Sequence, residues 1–207
     1  MSRKILEDWL QRVLRAAFGT VFHDGIERSI SAAHDASALI LSDFLRAHPE
    51  EKWKDKACLA RILQTDAPFQ ATLLYRISHE IFLGNPEDEM LDLLAYIMRL
   101  RTGVELYYSS VIGEGFRILH GSGLVLGPRH RIGKNFTVYQ CVTLGQRRQN
   151  CPEEYLEIGN NCIFFAGAKI LGKLKIGNDV RVAANAVLLS DAEDGGTYGG
   201  IPAKRIA

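Results

Sequence analysis

The sequence predicts an α + β chain, with a helical half over residues 1–101 and a parallel β-helix over residues 102–207. Two observations carry this. Apolar residues of the first half recur at helical spacing, whereas those of the second fall in a six-residue rhythm that matches neither a helix nor an alternating strand. Composition agrees with a globular chain: 47% hydrophobic and 24% charged residues. The formal net charge of +1 gives no bulk field to recruit nucleic acid or an anionic membrane surface. No apolar run approaches the roughly 20 residues of a membrane span.

Element by element, Ile5, Leu6, Trp9, Leu10, Val13, Leu14 and Ala17 mark a first amphipathic helix that Gly19 ends. It carries Glu7 and Asp8 and no small-residue cleavage site, so it reads as part of a cytoplasmic protein and not as a targeting peptide. A second helix is expected over Ile30–Leu45, before His48-Pro49, and a shorter one over 52–64. Pro68–Leu83 is strongly helical and stops at Gly84-Asn85-Pro86. Glu87–Leu100 follows, with acids at its start and Arg99 and Arg101 at its end, which suits the helix dipole. That makes about five helices.

The coil is marked by Leu106, Ile112, Ile118, Leu126, Ile132, Val138, Leu144, Ile158, Phe164, Ile170, Ile176, Val182 and Leu188. Each points inward, and glycines after many of them turn the corners. The rhythm breaks twice. Ile118 to Leu126 is eight residues, six plus two, and the excess falls in His120-Gly121-Ser122-Gly123. Leu144 to Ile158 is fourteen, read as twelve plus two, with residues 146–155 in the excess. A regular solenoid has no concave pocket, so such extrusions are where a site can form. The four cysteines show no CxxC and no His/Cys metal spacing, and read as reduced thiols. No metal is expected.

Helices, coil, histidine-bearing break and polar loop, together with Tyr75-Arg76-Ile77-Ser78-His79, Val142-Thr143-Leu144-Gly145, Ala166-Gly167-Ala168-Lys169-Ile170-Leu171-Gly172 and Gly200-Ile201-Pro202-Ala203-Lys204, resemble the serine acetyltransferase family over roughly residues 40–207. The resemblance implies a left-handed parallel β-helix of hexapeptide repeats that assembles as a homotrimer or a dimer of trimers. It implies acetyl-CoA as co-substrate, lying between neighbouring coils, and a small hydroxylated acceptor such as serine. Such members often carry a tail ending in isoleucine that enters the next enzyme of cysteine synthesis. Here Ile206-Ala207 directly follows the Pro-Ala-Lys motif, and cysteine synthase binding through a tail is not expected.

By position, His120 matches the general base and the backbone at Gly145 matches an oxyanion donor. The coenzyme side would be Gln146, Arg148, Ala166, Lys169, Ala183, Ala184 and Lys204, and the acceptor side Asp55, Leu119, His130, Arg147 and Tyr155. Departures cluster on the acceptor side. An aspartate before the histidine is replaced by Leu119, an acid of the next turn by Pro128, and an Arg-His pair by Glu154-Tyr155. A backbone carbonyl is then expected to orient His120, and Arg147 or Arg148 to meet an acceptor carboxylate. Three readings stay open: acetyl transfer to serine or a serine-like amino acid, acetyl transfer to a sugar or polysaccharide hydroxyl, and a non-catalytic trimeric scaffold.

Overall fold

The computed structural model describes residues 3–19, 23–49 and 56–207. The described residues form six helices, α1 (Arg3–Phe18), α2 (His23–Asp35), α3 (Ser37–Ala47), α4 (Lys56–Thr65), α5 (Ala67–Gly84) and α6 (Met90–Thr102). The single helix expected over Ile30–Leu45 is therefore two, divided at Ala36, and the first begins earlier. Gly25 and the serines of α2 are poor helix formers, so propensity hides it. Packing decides instead: Ile26, Ile30 and Ala33 are buried, and a Cβ on Gly25 would strike Met90 of α6. Asp55 and Trp53 lie outside the described residues.

After α6, Gly103 takes a left-handed conformation (φ 65°) and turns the chain into the coil. Face one stacks β1 (Glu105–Leu106), β4 (Val125–Leu126), β7 (Thr143–Gly145), β10 (Lys169–Leu171) and β13 (Val187–Leu188). Face two stacks β2 (Val111–Ile112), β5 (Arg131–Ile132), β8 (Leu156–Ile158) and β11 (Leu174–Ile176). Face three stacks β3 (Arg117–Leu119), β6 (Thr137–Tyr139), β9 (Ile163–Phe164), β12 (Arg181–Val182) and β14 (Thr197–Gly200). All of these pairs are parallel, and β15 (Ala203–Arg205) folds back antiparallel on β14 to close the stack. The coil is the left-handed form expected. All thirteen rhythm-setting residues are buried, stacked in register as Leu106–Leu126–Leu144 and Ile112–Ile132–Ile158.

The second break is larger than its arithmetic suggested. Leu144 on face one and Ile158 on face two are successive inward positions, so fourteen residues are six plus eight. A third irregularity occurs near the end, where Ala192 bridges to Ile176 only four residues after Leu188.

The helical half docks through buried polar groups. Arg76 of α5 donates from Nε to Asp43 of α3 at 2.8 Å and from Nη2 to the Gly113 carbonyl at 2.7 Å. Asp43 also accepts the Phe116 N–H at 2.7 Å. His79 Nδ1 lies 2.7 Å from the Tyr108 carbonyl and ties α5 to the coil.

Candidate active site

The two surplus residues of the first break lie in the corner between β3 and β4. His120 there has φ 65°, and it stands outside the row Gly123 (72°), Cys141 (57°), Gly167 (74°) and Asn185 (58°), which takes the left-handed conformation at this corner on successive turns. The left-handed position that the corner itself repeats is Gly123 on this turn, and the insertion adds a second left-handed residue, His120, three residues before it. Gly121 follows at φ 80°, with Val104 and Pro68 close to where a Cβ would stand. Gly123 donates to the Gly103 carbonyl at 2.9 Å, tying the corner to the end of α6. The His120 side chain is exposed, and among the described residues it makes no hydrogen bond; the nearest ring is Tyr139, 6.4 Å away between centroids. The carbonyl expected to orient it is not found in that role.

His120 borders two hollows. One is a cavity of about 190 Å³ between α3, α5 and β3, lined by Asp43, Asp66, Thr72, Arg117, Leu119 and His120 among others. The second is an open depression shared by Arg61, Thr65, Asp66, Pro68 and His120. Asp66 is common to both and was missed from the sequence. Its signal was available, since an Asp one residue before Ala-Pro marks a helix N-cap. Its Oδ1 accepts the Phe69 N–H at 2.9 Å, and its Oδ2 lies 3.1 Å from His48 Nε2. Burial pushes this carboxyl up, but the His48 ring and the Phe69 N–H outweigh burial and hold it below the ordinary carboxylate value.

The other expected residues divide by corner. Because the strands of face one are parallel, their first residues adjoin the His120 corner and their last adjoin the opposite one. Ala166, Ala183, Ala184 and Lys169 follow His120 down its own corner, with the Lys169 ammonium bonded to the Cys141 carbonyl. Lys204 lies on β15 at the far end. Gly145, Gln146, Arg147 and Arg148 lie across face one, at the start of the long loop.

That loop is braced from within. Glu154, only 4% exposed, accepts the Arg147 N–H (2.6 Å), the Arg148 N–H (3.0 Å) and Arg148 Nε (2.8 Å). The Arg148 hydrogen bond first, and the two backbone donors with it, hold this carboxyl below its ordinary value. Gln146 Nε2 donates to the Cys151 carbonyl, and Arg129 Nε to that of Pro152. The Gln146 N–H is left without a partner among the described residues, whereas those of Arg147 and Arg148 are committed to Glu154. Tyr155 turns to face two, where Arg131 stacks on its ring at 5.5 Å.

His130, expected at the acceptor, lies inside the coil. It is 1% exposed; its N–H donates to Ser110 Oγ, and its Nδ1 accepts the Leu156 N–H at 3.1 Å. The position belongs to an interior row with Ser110, Leu156 and Leu174, which the six-residue markers do not include. Burial pulls the imidazole down to about 4, so it is neutral near pH 7.

A stacked hexapeptide coil with a histidine extruded at one corner and a braced loop at another defines the class of hexapeptide-repeat acyltransferases. No protein-family model matches the chain. The serine acetyltransferase of Helicobacter pylori is 37% identical over 142 residues, covering 66% of this chain and 79% of that protein. That of Staphylococcus aureus is 34% identical over 141 residues, covering 68% and 66%. Soybean serine acetyltransferase complexed with serine superposes with a TM-score of 0.83 at 26% identity, over all of this chain and 84% of that one. The Brucella abortus enzyme in complex with coenzyme A shares the fold, with a TM-score of 0.80 at 19% identity. The chain belongs to the serine acetyltransferase family, a family of acyltransferases.

Proposed function

We propose that the chain transfers acetyl from acetyl-CoA directly to the hydroxyl of serine or a close serine-like amino acid, with His120 as general base. The observation that carries this is the unpaired His120 imidazole at the mouth of a cavity that also holds Asp66. Imidazole accepts the hydroxyl proton as the oxygen attacks the thioester carbonyl. The tetrahedral oxyanion collapses, the C–S bond breaks, and the imidazolium returns the proton to the leaving thiolate. The free N–H at Gln146, next to Gly145, is the available oxyanion donor. Asp66 suits the acceptor's ammonium group.

His120 and the Gly145 loop stand at opposite corners of face one, so a site that uses both is completed by a second copy. This supports a homotrimer in which the coenzyme runs between one chain's Ala166–Ala184 corner and its neighbour's loop. The helical half would pair two trimers. In this reading the helical domain (1–101) supplies part of the acceptor site and the coil (102–207) the donor site. The cavity of about 190 Å³ is smaller than the 300–1,000 Å³ typical of drug-sized ligands, which favours an amino acid over a polysaccharide. Thiol release from acetyl-CoA is measured across amino-acid and sugar acceptors. His120→Ala is expected to lower kcat by roughly 10²–10⁴-fold, the usual worth of a general base. Full activity in that variant would sink the proposal.

A further inference from the structure

We propose that Arg117 binds the carboxylate of the amino-acid acceptor, supplying from the coil's first turn the charge that Glu154 does not. The inference rests on the acetyl-transfer reading above and names the group that gives it specificity. Arg117 opens β3, three residues before His120, and lines the same small cavity as Asp66 and His120. Its backbone is fixed by the N–H bond to the Phe136 carbonyl (2.9 Å), whereas its guanidinium has no ion pair or hydrogen bond among the described residues. The other charged groups here already have partners, Asp66 while still lining the cavity. Arg76 holds Asp43, and Asp66 is held by His48 and the Phe69 N–H. Arg46 donates to the Gly115 and Phe136 carbonyls and to Thr137 Oγ1, and forms no ion pair with a carboxylate among the described residues.

The neighbourhood of the cavity therefore carries three guanidinium groups (Arg46, Arg76, Arg117) against two carboxylates (Asp43, Asp66). The imbalance acts on Arg46: burial first, and the Arg117 charge second, pull its pKa below the usual arginine value. An anion placed against Arg117 relieves that repulsion. A zwitterionic amino acid fits both ends, with its ammonium toward Asp66, its carboxylate on the Arg117 fork and its hydroxyl at His120. The arginines named from the sequence fit less well, because Arg148 is tied to Glu154 and Arg147 stands across face one.

The test compares L-serine with L-serinamide, which keeps the hydroxyl and ammonium but lacks the carboxylate, at saturating acetyl-CoA. Wild type is expected to prefer serine. Arg117→Gln should reduce the serine-to-serinamide ratio of kcat/KM by roughly 100-fold, the scale of losing a charge-assisted, paired contact. The loss should fall mainly on KM for serine and much less on KM for acetyl-CoA. Arg117→Lys should recover part of the ratio, since it restores the charge without the fork. An unchanged ratio in Arg117→Gln overturns the proposal, as does a collapse of the ratio in Arg61→Gln instead. Absence of thiol release from wild type with either acceptor overturns the acetyl-transfer reading itself.

Discussion

His130 gives the coil a specific sensitivity to acid. In the folded chain it is neutral, with Nδ1 accepting the Leu156 N–H and the ring enclosed between faces one and two. Its folded pKa is about 4 against an ordinary 6.5. Between these values the unfolded chain binds more protons than the folded one, so stability rises with pH across that window. The contribution is complete above pH 6.5 and is lost as pH falls toward 4. Full loss amounts to about 3 kcal/mol, and the part lost between pH 7 and pH 5 to about 2 kcal/mol by linkage. His130→Leu removes the titration and suits a row that already holds Leu156 and Leu174. At pH 7 the variant should be weaker by about 1–3 kcal/mol, because the Leu156 N–H loses its acceptor. At pH 5 that deficit should shrink by about 2 kcal/mol. Urea unfolding at both pH values and one protein concentration measures the difference. Parallel curves, with a deficit independent of pH, would refute the assignment of a buried neutral histidine.

Two further perturbations probe how the halves and the loop are held. Arg76→Met leaves the buried Asp43 without its ion-paired, hydrogen-bonded partner, and should cost about 3–5 kcal/mol, or roughly 6–20 °C in melting temperature for a chain of this size. Adding Asp43→Leu should restore part of this, and a double variant no better than Arg76→Met would show that stranded charge is not the cause. Glu154→Ala frees the Arg147 and Arg148 amides, so trypsin should cut after these arginines faster by on the order of tenfold, the scale of one charge-assisted hydrogen bond. Equal cutting of wild type and variant would mean that Glu154 does not brace the loop.

What could be read from the sequence is what repeats. The coil was legible because each inward residue sees the same environment one turn later, and Leu106, Leu126 and Leu144 meet the same requirement three times. The first break was legible for the same reason: a two-residue surplus stands out against a six-residue count, and it isolates His120. The second break exposed the limit of counting. Fourteen residues divide as twelve plus two or as six plus eight, and only strand pairing decides which. α2 was hidden because Gly25 is chosen for its fit against Met90 and not for helix propensity.

The acceptor side was least legible because its residues are defined by partners distant in sequence. Glu154 was read as the loss of an expected arginine. In the fold it is a gain, since its carboxylate gathers two backbone N–H groups and a guanidinium that the enlarged loop would otherwise leave loose. His130 was expected at the acceptor because a histidine one turn from the break looks like a site residue; the coil uses it as an interior acceptor for the strand to which the loop returns. These two departures have one physical origin. An eight-residue excursion from a solenoid brings backbone donors that the regular ladder cannot satisfy, and a buried acid and a buried neutral imidazole satisfy them. With Glu154 and His130 committed to the loop, Arg117 is left on the His120 side with no side-chain partner among the described residues, and that contrast supports its proposed role in selecting the acceptor's charge.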